Sequence, residues 1–226
     1  MNARVDSARS ATQLAHQARE KGSVVDAARL YGAAALRFWS VAVIEYPDVE
    51  AGLEFATAEN LAGLLSDGAV ANSELIAAVR SGRAAAKDLT GTYVFLVLSH
   101  AAVLVGARDA VATFRDCAVA KEVSGTPFWD AYAGSYSKFL DGAPVAVPGL
   151  SLRGAETYWL PYIELMSLLN QGMSVEEKRA ELAALFVKRN ADKRFVNADA
   201  HQVEGNALRK ANWDFRLEAI LRTRAG

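Results

Sequence analysis

Apolar side chains recur every three or four residues along most of the chain, which is the spacing of one face of an α-helix. Strand-like alternation of apolar and polar residues is nearly absent, and no proline occurs between Pro47 and Pro127. The pattern predicts an all-α fold, either an irregular multi-helix bundle or an array of helical pairs, with about ten helices. The predicted helices span residues 7–20, 24–46, 48–66, 72–88, 91–105, 107–121, 127–140, 154–170, 175–190 and 212–223.

Two predicted helix starts carry recognisable capping chemistry. Thr126 followed by Pro127 is typical of an N-cap with proline at the first helical position, where its missing N–H would have no helical partner in any case. Ser174 and Glu177 have the spacing of a capping box, in which each side chain satisfies an otherwise free backbone donor. We therefore expect helices to begin at these two points.

Composition indicates an ordinary globular protein: of 226 residues, 52% are hydrophobic and 23% are charged. Irregular stretches occur at 141–148 and 190–212, but neither separates a segment that lacks core residues, so we predict one domain over residues 1–226. The single cysteine, Cys117, forms no internal disulfide, which favours a cytoplasmic location. The most apolar run, 93–105, is shorter than the roughly 20 residues of a membrane span, so we expect no membrane partner.

Motifs for catalysis and for cofactor binding are absent from the sequence, so we expect neither an enzyme nor a cofactor. His201, Glu204 and Asp199 supply at most three weak metal ligands, and we expect no metal site. His100 lies in the apolar run and is interpreted as a core histidine. Cys117 has no histidine nearby in sequence to activate it and is interpreted as a packing residue.

Charge is segregated in the first half of the chain. Residues 38–79 contain no lysine or arginine, although the net charge of the whole chain is only −1. A net charge this close to zero, and a basic cluster near the C-terminus that is interleaved with acids, argue against a nucleic-acid partner. The seven acidic residues of this base-free interval are Glu45, Asp48, Glu50, Glu54, Glu59, Asp67 and Glu74.

Two interpretations of these acids remain open: a plain solvated face, or a docking surface for a basic partner. Helix-dipole stabilisation explains Asp48 and Glu50 at a helix start. It does not explain Glu50 and Glu54, because like charges four residues apart destabilise a helix by about 0.2–0.5 kcal/mol. The residues assigned to the docking surface are Glu45, Asp48, Glu50, Glu54 and Glu59, and the predicted core stripe of the same helix is Ala51, Phe55, Ala58, Ala62 and Leu65.

Two aromatic motifs occur in the C-terminal half, Tyr158–Trp159–Leu160–Pro161–Tyr162 and Trp213–Asp214–Phe215–Arg216. With them, roughly the last 100 residues resemble the all-helical immunity proteins of bacterial polymorphic toxin systems, particularly immunity protein family forty-nine. The resemblance implies a cytoplasmic antidote that binds a cognate secreted toxin and occludes its active site. The toxin would then present a basic surface to the acidic interval.

The second motif also has a purely structural interpretation. Trp213 and Phe215 are predicted to pack the last helix onto the bundle, with Asp214 in its first turn beneath an Asn212 cap. Pro161, in the first motif, must either kink its helix or start a new one.

Two other classes of function stay open. Residues 22–46 resemble one helix of a tetratricopeptide pair, which favours a scaffold or adaptor that binds a protein or peptide. An enzyme whose site combines scattered residues such as His201, Glu204 and Arg216 is the third possibility.

Overall fold

The computed structural model describes residues 3–149, 159–191 and 211–225, and within them the protein is all-α, as predicted, with ten α-helices and no strand. A 3-10 turn at Ala86–Asp88 precedes α5. The helices are α1 (Ala3–Glu20), α2 (Val24–Ile44), α3 (Val49–Ala58), α4 (Leu61–Arg80), α5 (Thr92–Leu104), α6 (Arg108–Ala118), α7 (Pro127–Leu140), α8 (Leu160–Asn170), α9 (Glu176–Ala191) and α10 (Phe215–Ala225).

Helices α2 and α5 form the centre of the bundle. Helix α2 packs against α1, α3 and α4, while α5 packs against α6, α7 and α10. The return of α10 to α5 joins the end of the chain to its middle, whereas the repeats of a solenoid contact only their neighbours. The described helices therefore form an irregular bundle and not a regular array of pairs.

Helix α2 is long and apolar enough to span a membrane by length and composition, but 72% of its most apolar window is buried inside the fold. A central helix of a globular core and a signal sequence meet the same criteria, so these properties alone do not indicate a membrane protein.

The predicted helix over 48–66 is wrong, because the chain breaks between α3 and α4. Asn60 has φ 52° and ψ 41°, the left-handed conformation that asparagine tolerates better than most residues. The break reorients the sequence that follows, so the predicted core stripe is correct only in part: Leu65 is fully buried, and Phe55 and Ala62 are half-buried and pack against the core. Ala58 is exposed, and the residues that α3 buries are Gly52 and Ala56.

The chain instead continues as helix through the region where the sequence predicted a break, residues 67–71. Gly68 lies inside α4, where an added Cβ would be 3.4 Å from Cβ of Tyr31 and 3.7 Å from the ring of Phe114. A Cβ at this position would make ordinary van der Waals contacts, so Gly68 is an interior residue of α4 and does not end a helix.

Helices begin at both predicted points, but only one of them has the predicted cap. Helix α7 begins at Pro127, and the Thr126 side chain accepts a hydrogen bond from the Trp129 N–H at 3.4 Å. The capping box at Ser174 and Glu177 is not formed. Helix α9 begins one residue too late for it, at Glu176, and the Ser174 hydroxyl donates to the Glu176 carboxylate.

The last helix packs onto the bundle as predicted. The ring of Trp39 in α2 meets Trp213 edge-on at 5.6 Å and Phe215 edge-on at 5.8 Å. The predicted capping needs correction: Asp214 itself precedes the helix and accepts from the N–H groups of Arg216 and Leu217 at 3.3 and 3.4 Å.

Asn212 caps a different helix. Its backbone N–H donates to the Val43 carbonyl at 2.7 Å, and its side-chain amide donates to the carbonyls of Ile44 and Tyr46 at 2.7 and 3.1 Å. These carbonyls belong to the end of α2 and the turn after it, where no helical donor remains. Asn212 thus fastens the C-terminal segment to the end of α2.

Candidate functional site

The five acidic residues assigned to a docking surface lie between the end of α2 and the α3–α4 junction. Glu45, Asp48, Glu50 and Glu54 are exposed, and Glu59 is half-buried. Asp48 is the N-cap of α3 and accepts a hydrogen bond from the Ala51 N–H at 2.9 Å. Part of its role is therefore structural.

Arginines of α1 neutralise several acids of the base-free interval. The strongest of these contacts is formed by Arg9, whose Nε and Nη2 donate to the two carboxylate oxygens of Glu59, and this hydrogen bonding raises the pKa of Arg9. The three ion pairs of this kind are Arg4 with Glu45 at 3.8 Å, Arg9 with Glu59 at 2.6 Å, and Arg19 with Asp67 at 3.0 Å.

Glu50 and Glu54 differ from these paired acids. Both are exposed, and no described residue forms an ion pair or side-chain hydrogen bond with either. They lie one turn apart on α3, so their charges repel each other. We refer to Asp48, Glu50 and Glu54 as the α3 acidic face, which is the part of the predicted surface that keeps its negative charge.

Aromatic side chains lie at the edge of the α3 acidic face. Tyr46 and Phe55 are both half-buried, and their rings stack with centroids 5.0 Å apart and an interplanar angle of 26°. Phe55 follows Glu54 directly, and Tyr46 lies between Glu45 and Asp48. Both rings also pack against the hydrophobic core, so only part of each is accessible to a partner. Aromatic residues are enriched in surfaces that bind other proteins.

A second cluster, the buried polar centre, consists of Asp214, Arg216 and Tyr162. Arg216 Nε donates to Asp214 Oδ1 at 3.1 Å, and the Tyr162 hydroxyl donates to the other carboxylate oxygen. The Arg216 and Asp214 side chains are only 4% and 7% exposed. Burial alone would lower the pKa of Arg216, but Tyr162 and Asp214 raise it above its ordinary value, so Arg216 stays charged.

Aromatic rings enclose the Arg216 guanidinium. Its carbon lies 4.9 Å from the ring centres of Trp159 and Phe215 and 5.3 Å from that of Tyr162. These contacts bring the two aromatic motifs of the sequence into one cluster, since Trp159 and Tyr162 belong to the first motif and Phe215 and Arg216 to the second. The cluster holds the starts of α8 and α10 together.

His100 lies beside this cluster in α5 and is fully buried, as interpreted from the sequence. Burial lowers its pKa to about 4, so the ring is neutral at pH 7. Its Nδ1 lies 2.6 Å from the Leu96 carbonyl and therefore carries the proton, and the ring stacks on Tyr136 at 4.6 Å. His100 and the buried polar centre line neither the cleft at Arg9 and Glu59 nor the cleft at Arg108 and Arg222.

The remaining candidates for chemistry offer no reactive arrangement within the described residues. Burial raises the pKa of Cys117 to about 12, which suits a packing residue and suppresses the thiolate. No group of three or more potential metal ligands occurs in the part of the chain the structure covers. Asp199, His201 and Glu204, named for a metal site and a cryptic active site, lie outside the described residues.

A polar cleft of about 360 Å³ lies between α1 and the α3–α4 junction. The Arg9–Glu59 ion pair contributes both its side chains to the wall, and His16 and Phe38 also line it. His16 Nδ1 is 2.8 Å from the Tyr31 hydroxyl, so this polar group already has a partner. The Arg9, Glu59 and His16 side chains that line this cleft are therefore already paired within the chain.

The fold and the surface define an all-α bundle with an anionic, aromatic-edged face. Comparison of the chain with family models, with curated proteins and with solved structures gives no match.

Proposed function

We propose that this chain is an immunity protein that acts in the cytoplasm by binding a cognate secreted toxin with a basic surface and occluding the toxin's active site. The observation that carries the proposal is the α3 acidic face, where Glu50 and Glu54 lie exposed and unpaired among the described residues. The resemblance of the two aromatic motifs to immunity proteins of polymorphic toxin systems supplies the class of partner.

The energetics of α3 support a role in binding. A like-charge pair at this spacing costs about 0.2–0.5 kcal/mol, and the fold gains no ion pair in return among the described residues. An exposed anionic face accelerates encounter with a basic partner. Tyr46 and Phe55 at its edge provide apolar contact area that charge alone lacks.

The contrast with the other acids indicates which acidic residues a basic partner would contact. Glu45 and Glu59 are engaged by arginines of α1, so their charges are already compensated within the chain. The docking surface therefore centres on Glu50 and Glu54, with Asp48 at its margin.

A search of the neighbouring reading frames for a toxin domain, followed by co-expression with that domain, tests the proposal. We expect the chain to restore growth of cells that produce the toxin and to co-purify with it in a stoichiometric complex. The proposal fails if the neighbouring toxin domain neither binds the chain nor is neutralised by it.

A further inference from the structure

A second cleft, of about 420 Å³, opens where the ends of α5, α7 and α10 meet the start of α6. Its volume falls in the range of small-molecule sites, roughly 300–1,000 Å³. The apolar part of its wall consists of Ala102, Val103, Val111 and Leu140. We refer to it as the α5–α6 cleft.

Both charged residues that line the α5–α6 cleft are cations. Arg108 begins α6 and Arg222 lies in the last turns of α10, and both are exposed. No described residue forms an ion pair or a side-chain hydrogen bond with Arg108, and Arg222 has only a distant contact of 3.8 Å with Glu218. Neither Asp nor Glu is among the lining residues.

The first turn of α6 adds to this positive potential. Its N-cap residue, Ala107, has no side chain able to accept from the first amides of the helix. Asp109 in the same turn is exposed and does not line the cleft, and it compensates only part of the positive charge of Arg108 and the helix N-terminus.

We propose that the α5–α6 cleft binds a small amphiphilic carboxylic acid. The carboxylate lies between Arg108 and Arg222, and the hydrocarbon tail contacts Val103, Val111 and Leu140. An apolar wall disfavours a multiply charged ligand such as a free phosphate, while the arginines disfavour a neutral or cationic one. The site is separate from the α3 acidic face and does not depend on the proposed function.

Calorimetric titration with octanoate, 1-octanol, octylammonium and acetate tests the proposed ligand chemistry. Octanoate is expected to bind saturably at one site, and acetate, which lacks the tail, is expected to bind at least about tenfold more weakly. Equal affinity for 1-octanol or octylammonium would overturn the proposal. So would binding of an acetylated peptide with a C-terminal leucine under conditions in which octanoate does not bind.

Variants locate the site. Arg108→Gln and Arg222→Gln should each raise the Kd for octanoate about tenfold, as loss of a charge-assisted hydrogen bond implies. Arg83→Gln, which changes an exposed arginine outside the cleft, is the matched control and should leave the Kd unchanged. All three residues are exposed, so circular dichroism should show an unaltered fold. Unchanged Kd values for both cleft variants would overturn the proposal.

Discussion

Removal of the Asp214 carboxylate should destabilise the protein far more than removal of an exposed partner. In Asp214→Ala the Arg216 guanidinium, 4% exposed, loses the carboxylate at 3.1 Å and keeps its charge. Leaving one charge of a buried pair without its partner costs about 3–5 kcal/mol. The variant also loses the cap of α10, since Asp214 accepts from two backbone N–H groups there.

The reverse change should cost less. In Arg216→Met the Asp214 carboxylate still accepts from the Tyr162 hydroxyl and from the Leu217 N–H, so we expect a loss of about 1–3 kcal/mol. The double variant has no orphaned buried charge. The loss of unfolding free energy in the double variant should therefore be about 1–3 kcal/mol smaller than the sum of the losses in the two single variants.

Urea unfolding followed by tryptophan fluorescence and circular dichroism measures these differences. Asp141→Ala is the matched control, because Asp141 pairs with Arg115 at 2.6 Å but is 57% exposed, and its loss should cost less than about 1 kcal/mol. If Asp214→Ala costs no more than the control, or if the two single costs simply add, the buried pair does not behave as the geometry implies.

Three further predictions concern the core. Gly52→Ala should destabilise the protein by about 1–3 kcal/mol, because the new Cβ would lie 2.7 Å from the Ala42 carbonyl oxygen. The control is Gly134→Ala, whose new Cβ would have nothing within 4 Å and which should be neutral or stabilising. Thermal unfolding compares the stability of the two variants. The pKa of His100 is lowered by burial, so the unfolded chain takes up a proton near pH 6.5 and the native chain does so only near pH 4; the free energy of unfolding therefore falls across this window as the pH drops. In His100→Phe that fall, measured by urea unfolding at several pH values, should be smaller by about 3 kcal/mol, and an equal fall in both proteins would contradict the reasoning. Cys117 should react with iodoacetamide only after unfolding. Modification of the native protein at the rate of a free thiol would show that the Cys117 thiol is not buried.

The helical periodicity predicted the fold class because amphipathic spacing is a property of each segment by itself. The break at Asn60 was missed for a physical reason. Asparagine enters the left-handed conformation only when the surrounding packing requires it, and the sequence around Asn60 continues to look helical. The break predicted at residues 67–71 is the opposite error, since α4 continues as helix through them.

Charge at the candidate site was predicted only in part. The sequence shows the base-free interval, but it does not show that arginines of α1 neutralise some of its acids. Arg9 and Glu59 are 50 residues apart and meet only when α1 packs on the bundle. Glu50 and Glu54 were identified by the repulsion of like charges one turn apart on a helix. This repulsion depends only on the helix itself and not on contacts between distant parts of the chain. The stacking of Tyr46 on Phe55 depends on the turn between α2 and α3 and had no sequence signal.

The most direct test of the central claim is the association rate with the toxin domain as a function of salt. Reversing Glu50 and Glu54 to lysine should slow association by about tenfold or more at low ionic strength and flatten its salt dependence, with dissociation changed less. A control that reverses two exposed acids on other helices, Glu20→Lys with Glu177→Lys, has the same net charge and should associate close to the wild-type rate. Equal rates for the two double variants would contradict a docking role for the α3 acidic face.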